Sequence, residues 1–247
     1  MYQERKYRKY RNSERFTYFS VIVKESDLLV GISPRHYNAE LLWLVREEIK
    51  RLRRETEGYA MQNPGFINSH VPVDAGRDAP ATLQEMISAA VAANVGPMAS
   101  VAGMVSQGVA GLLKGLYPDT EYVIENGGDI ACLFRSRLTV GLETASSRIT
   151  GSIGVSIGSD LSPCGICSSS GTFGHSFSYG RADSVSVICR SPVVADAWAT
   201  SLCNRISAPD DLGQLAALVK SKREILACVA IAGDKIMKYG DIELVKL

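Results

Sequence analysis

From Met86 to Leu113 the chain carries no charged residue, and this run limits the possible folds more than any other feature. An uncharged stretch of that length could cross a bilayer as one helix. Its content argues against that. It is mostly Ala, Gly, Ser and Val, with Asn94, Gln107 and a Gly96-Pro97 break in the middle. Small side chains add little transfer free energy, and a proline starts a helix better than it continues one. The pattern predicts two buried helices, Ala79 to Ala93 and Met98 to Leu113, and no membrane partner.

The rest of the chain supplies strands for those helices to pack on. Thr17 to Val23 and Asp27 to Ile32 read as a β-hairpin. Tyr37 to Glu57 reads as a helix with Leu41, Val45, Ile49 and Leu52 on one face and charged residues such as Glu47 and Arg51 on the other. Further strands are expected at Thr120–Glu125, Ile130–Phe134, Leu138–Leu142, Ser184–Cys189, Ile225–Ile231 and Ile242–Val245. Helices are expected at Val193–Ile206 and Asp210–Lys220. Hairpins mixed with separate helices predict an α+β fold, with mixed sheets and packed helices, rather than a regular βαβ array. No linker divides the chain, so residues 1–247 are expected to form a single domain.

Charge excludes one function class. Lys and Arg number 27 against 26 Asp and Glu, a net charge of +1. Nonspecific nucleic-acid binding needs a strong basic excess, so no nucleic-acid partner is expected. At 46% hydrophobic and 21% charged the chain is too apolar for disorder. The basic lead-in, residues 1–15, reads as a solvated approach to the first strand. No apolar stretch follows it, so no secretory signal is expected, which points to a cytoplasmic protein. Of six cysteines only Cys164 and Cys167 form a CxxC. Without two further soft ligands or a following helix, this disfavours zinc or thioredoxin-type chemistry.

Three segments could carry chemistry. In Glu125-Asn126-Gly127-Gly128-Asp129 a strand runs into two glycines that let a ligand approach the backbone. The same residues suit a plain type I′ hairpin turn. Ser168 to His175 combines Ser168, Ser169, Ser170, Thr172 and His175 with Gly171 and Gly174. It can serve phosphate oxygens and offer a general base, or be a simple Ser/Gly loop. In Ala195-Asp196-Ala197-Trp198-Ala199-Thr200, Asp196 and Thr200 share one helix face and offer a hard cation two oxygens. Alternatively, Asp196 serves only the helix dipole. Gly154-Val155-Ser156-Ile157-Gly158 fits a GxSxG elbow, but no helix is expected after it, which argues against a hydrolase of that type.

Together these segments resemble the ApbE-like (T-fold-related) superfamily, over about Ala79 to Asn204. A signal-less prokaryotic branch carries the VGPMA segment (Val95–Ala99), ENGGD (Glu125–Asp129), SSGTxGHS (Ser169–Ser176) and ADxxAT (Ala195–Thr200) in this order. The resemblance implies a Mg²⁺-dependent flavin transferase that cleaves FAD and moves FMN onto a hydroxyl of an acceptor protein. It implies that Asp196 and Thr200 hold Mg²⁺. It places Asn126, Gly127, Gly128, Asp129, Ser169, Ser170, Gly171 and Thr172 around the flavin nucleotide. His175 and Asp196 become the catalytic residues.

Two departures bear on activity. Gln107 stands where the family carries a lysine, and Ser176 to Gly180 replaces an Asp-Pro turn. A flavin-binding module without turnover, or another small-molecule reaction in the same cleft, therefore stays open beside the transferase. The apolar helices also leave a homodimer open.

Overall fold

The computed structural model describes residues 14–74, 78–142, 153–172 and 178–247. The lead-in therefore lies largely outside the described residues, as do Phe173 to Phe177, and with them His175.

The chain folds into three layers. Among the described residues, an eight-stranded antiparallel sheet lies in the middle. Its strands are β1 (Thr17–Val23), β2 (Ser26–Ile32), β3 (Tyr122–Asn126), β4 (Asp129–Leu133), β7 (Cys164–Ser169), β8 (Ser184–Cys189), β9 (Ile225–Ala232) and β10 (Lys235–Tyr239), in that spatial order. A three-stranded sheet of β11 (Ile242–Lys246), β6 (Ile153–Ile157) and β5 (Leu138–Gly141) covers one face. Six helices cover the other: α1 (Glu40–Gln62), α2 (Pro64–Asn68), α3 (Ala81–Ala93), α4 (Val101–Leu116), α5 (Pro192–Asn204) and α6 (Leu212–Ser221). The expected α+β class, with helices packed on sheets, is observed, and both sheets are antiparallel throughout rather than mixed.

Strand alternation splits the core in two. Val30, Ile32, Ile124, Ala131, Cys167 and Val187 join the helix-side core. Ile130, Cys132, Cys164, Ile166 and Ile188 join the core beneath the small sheet. The two cysteines of the CxxC thus lie on opposite faces of β7, which removes any dithiol role for that motif. Cys164 instead sits across from Cys132, with the sulfurs 3.6 Å apart.

α1 buries Leu41, Val45, Ile49 and Leu52, the face its periodicity predicts. It begins at Glu40 rather than Tyr37. The Asn38 carboxamide oxygen accepts from the N–H groups of Glu40 and Leu41 at 3.1 and 3.2 Å, and so starts the helix there. It also runs past Gly58, whose missing side chain faces open space, to Gln62, just before Pro64. On its outer face Arg51 pairs with Glu48 and Glu55, while Glu47 pairs with Lys50 rather than with Arg51.

The uncharged run forms α3 and α4, as expected, with Pro97 opening a short 3-10 turn before α4. The pair bends by 105° at that break, and no single helix among the described residues is long and apolar enough to cross a membrane. Three strands escape the sequence pattern: β6, β7 and β10. The Gly-Val-Ser-Ile-Gly segment is strand β6, followed by a 3-10 turn at Ser159–Leu161 and no helix.

Candidate active site

The candidate site forms where the start of α4 meets α5 and the β3–β4 turn. Asn126 pairs with Asp129 across that turn, and Gly127 and Gly128 take φ of 71° and 103°. Two consecutive positive φ values make a two-residue hairpin turn of the type Asn-Gly and Gly-Gly favour. The turn reading is therefore correct for the backbone. The Gly128 N–H is taken by the Glu125 carboxylate at 3.0 Å, so it is not a donor left over for a ligand. Gly127 is exposed, and a side chain at Gly128 would meet nothing within 4 Å, so the turn leaves open space above it.

Asp129 opens β4 and points to the helix side with Ala131. It is 3% exposed and accepts from the Ser168 N–H at 3.3 Å. Asp196, on α5, is 7% exposed. Its Oδ2 accepts from the Gly103 N–H at 2.8 Å. Gly103 lies in the first turn of α4, where helix N–H groups lack partners within the helix. Ser100, which precedes α4, makes no side-chain cap, so Asp196 caps α4 from another helix. This contact requires glycine. A Cβ at Gly103 would lie 2.5 Å from the Pro192 carbonyl oxygen and 2.9 Å from Asp196 Cβ. Asn126 reaches the same place, its Nδ2 donating to the Ala102 carbonyl at 3.3 Å.

Burial dominates the electrostatics. It pushes the Asp196 carboxyl up to about 7, although the Gly103 and Ala102 N–H groups act the other way. Asp129 is pushed well above the usual carboxylate range, first by burial and then by the charge of Asp196. Cys167 on β7 touches this pair. Burial, then the two aspartates, hold its thiol protonated. No arginine or lysine among the described residues pairs with either aspartate. Two acids facing each other without a cation are an unfavourable arrangement unless a proton or a metal ion is shared there.

The other expected residues are distributed unevenly. Thr200 lies one turn beyond Asp196 and is half-buried. Ser169 is buried with its hydroxyl beside the Cys203 thiol of α5. Ser170 and Thr172 are bonded within their own loop and to Asp183. Thr172 Oγ1 bonds Asp183 at 3.4 Å, and its N–H bonds the Ser170 hydroxyl at 3.2 Å. The placement of His175 falls outside the described residues. Gln107 donates to Glu85 at 2.7 Å. The Ser191 hydroxyl, which caps α5, bonds both Glu85 and Gln107 at 2.6 and 2.9 Å. This network is occupied internally and presents no positive charge.

Gly103 and Ala102 are the site residues that sequence reasoning missed. They act through backbone groups, and the sequence hides this because Ser100 looks like the cap of α4 but makes no side-chain cap.

The fold and the ordered motifs have clear relatives. A family model described as AbpE bacteria matches residues 8–224. A UPF0280 protein of Methanocaldococcus jannaschii is 36% identical over 232 residues, covering 92% of each chain. A UPF0280 protein of Methanospirillum hungatei is 37% identical over 197 residues, covering 79% of this chain and 78% of its own. Among solved structures, the ApbE protein of Thermotoga maritima superposes with a TM-score of 0.63 at 9% identity, covering 92% of this chain and 97% of that one. A mutant of the flavin transferase ApbE from Vibrio cholerae gives 0.58 at 14% identity, covering 91% and 96%. These structural likenesses establish a shared fold. With that fold, the four motifs in order and a family model spanning most of its length, the chain belongs to the ApbE-like superfamily, in the family described as AbpE bacteria.

Proposed function

We propose that the chain binds a flavin nucleotide in the cleft between the Gly127-Gly128 turn and α5, and that with Mg²⁺ it transfers FMN from FAD to a protein hydroxyl. The observation that carries this reading is the pair of buried, neighbouring carboxylates Asp129 and Asp196, with Asp196 held on the first turn of α4.

The donor set suits a hard cation. It offers carboxylate oxygens from Asp196 and Asp129 and a hydroxyl from Thr200. No group of three His, Cys, Asp or Glu side chains placed to hold a metal ion exists among the described residues, so the protein would supply few ligands. The remaining positions would fall to water and substrate phosphate, which is the sparse ligation Mg²⁺ prefers. When bound, the ion would neutralise charge on the FAD pyrophosphate.

The protein's own groups do the rest. The acceptor hydroxyl oxygen bonds to the FMN phosphorus, the pyrophosphate P–O bond breaks, AMP leaves, and His175 takes the hydroxyl proton. Open space over Gly128 admits the nucleotide. The start of α4 holds Asp196 in place, so the helix fixes the geometry of the cation site.

Gln107 favours a second reading, flavin binding without turnover, because it leaves the pyrophosphate without the family's lysine charge. AMP release from FAD separates the two. The transferase reading predicts AMP and FMN with Mg²⁺, none with a chelator, and none from Asp196→Ala. Tight FAD binding without AMP over hours supports the module. No FAD-induced rise in the thermal midpoint overturns both, since a ligand of the native state must stabilise it.

A further inference from the structure

A pocket of about 350 Å³ opens on the other side of the crossing between α4 and α5. None of Asn126, Gly127, Gly128, Asp129, Ser169, Asp196 or Thr200 lines it. Its walls are mainly apolar, including Tyr122, Ala131 and Pro163, and its rim carries Lys114 and Arg190. The Arg190 guanidinium is held in place by three carbonyls, those of Leu161 at 2.9 Å, Asp160 at 3.1 Å and Pro163 at 3.4 Å. Lys114 is exposed, and no carboxylate among the described residues pairs with it. The acid at the rim, Glu85, is already occupied by Gln107 and Ser191.

Gly111 keeps this space open: it lines the pocket, and a Cβ there would meet nothing within 4 Å. Gly115, one turn further along α4, also faces open space but lies outside the lining.

We propose that this pocket binds a small monocarboxylate with an apolar, aromatic or branched body. The carboxylate would lie against Lys114 and the preset Arg190, and the body against Tyr122, Ala131 and Pro163. An apolar cavity with a few convergent polar groups is the usual form of a small-molecule site, and this volume suits a single ring. The inference is independent of flavin binding, and its test uses no flavin.

Benzoate is the probe, titrated calorimetrically into the full chain, with benzyl alcohol as the uncharged control. Saturable benzoate binding is expected, with benzyl alcohol weaker by at least threefold. Lys114→Met should weaken benzoate by about threefold, the range of one exposed charge pair. Gly111→Leu should abolish binding while the thermal midpoint holds or rises, because leucine is the better helix former. No saturable benzoate binding up to roughly 10 mM, well above a fragment's millimolar range, overturns the proposal. So does unchanged binding in Gly111→Leu, or equal binding of the alcohol.

Discussion

Asp196→Asn is expected to make the metal-free protein more stable at pH 8, by about 2–4 kcal/mol. For a chain of this size that is a rise of roughly 5–10 °C in thermal midpoint. Burial pushes the Asp196 carboxyl from 3.8 up to about 7. Between those values the folded protein keeps a proton that the unfolded chain has released, so stability falls as pH rises through that window. Above it the folded state carries the full penalty of a buried charge. Asparagine imitates the neutral acid and can still accept from the Gly103 N–H, so it keeps the cap on α4. It also removes the charge that helps hold Asp129 protonated. The advantage of the variant should therefore be small at pH 4 and grow toward pH 8. Denaturation of chelator-treated protein across that range checks this. A variant less stable than the parent at pH 8 would mean that the charge on Asp196 serves the helix start more than burial opposes it.

The second large effect lies on the other side of the same contact. Gly103→Ala places a methyl 2.5 Å from the Pro192 carbonyl oxygen, and a backbone atom cannot swing aside as a flexible side chain would. Overpacking of this kind costs about 1–3 kcal/mol, against which alanine's better helix propensity returns less than about 1 kcal/mol. The expected outcome is a net loss of about 1–2 kcal/mol in urea unfolding. Since the methyl also meets Asp196 Cβ, the carboxylate must shift from the α4 N–H groups. Any Mg²⁺-dependent flavin binding should weaken with it. Gly111→Ala is the control in the same helix. It has open space over it and should gain about 0.5–1 kcal/mol. Equal effects of the two substitutions would show that α4 and α5 do not meet as closely as described.

Stability and the candidate function therefore oppose each other at this site, as expected where a protein keeps charged groups buried for chemistry. A solvent-exposed aspartate would be easier to accommodate. It would bind a cation less tightly, since water would screen it.

Much of the fold was legible because its signals were strong. The four-residue spacing from Leu41 through Val45 to Ile49 marks the buried face of α1, and the 3-10 turn at Pro97 opens the way into α4. The strands that escaped have physical reasons. β7 reads Cys-Gly-Ile-Cys-Ser-Ser and is buried on both faces, between α5 on one side and the small sheet on the other. A strand covered on both sides shows no alternation, and its small polar residues read as loop. β6 lies beside the serine-rich stretch that hid it, and β10 is a short edge strand, Lys-Ile-Met-Lys-Tyr, in which Met237 alone is buried.

The site was partly legible. Asp129 and Asp196 stand in short motifs, and the structure brings them together as buried neighbours. The contact that holds Asp196 was not, because a side chain reaching a backbone N–H 93 residues away leaves no side-chain signature at Gly103. Ser170 and Thr172 are composed for phosphate binding, yet Thr172 is bonded to Asp183 on the β8 side. A ligand would have to compete for that hydroxyl.

The central claim is that Asp129 and Asp196 form a cation-assisted flavin nucleotide site. Calorimetric titration of FAD with Mg²⁺ and with chelator, into the parent chain and into Asp196→Asn, tests it most directly. The account predicts tighter FAD binding with Mg²⁺ in the parent and no Mg²⁺ effect in the variant. FAD binding indifferent to Mg²⁺ in the parent, or a full Mg²⁺ effect retained in Asp196→Asn, would contradict it.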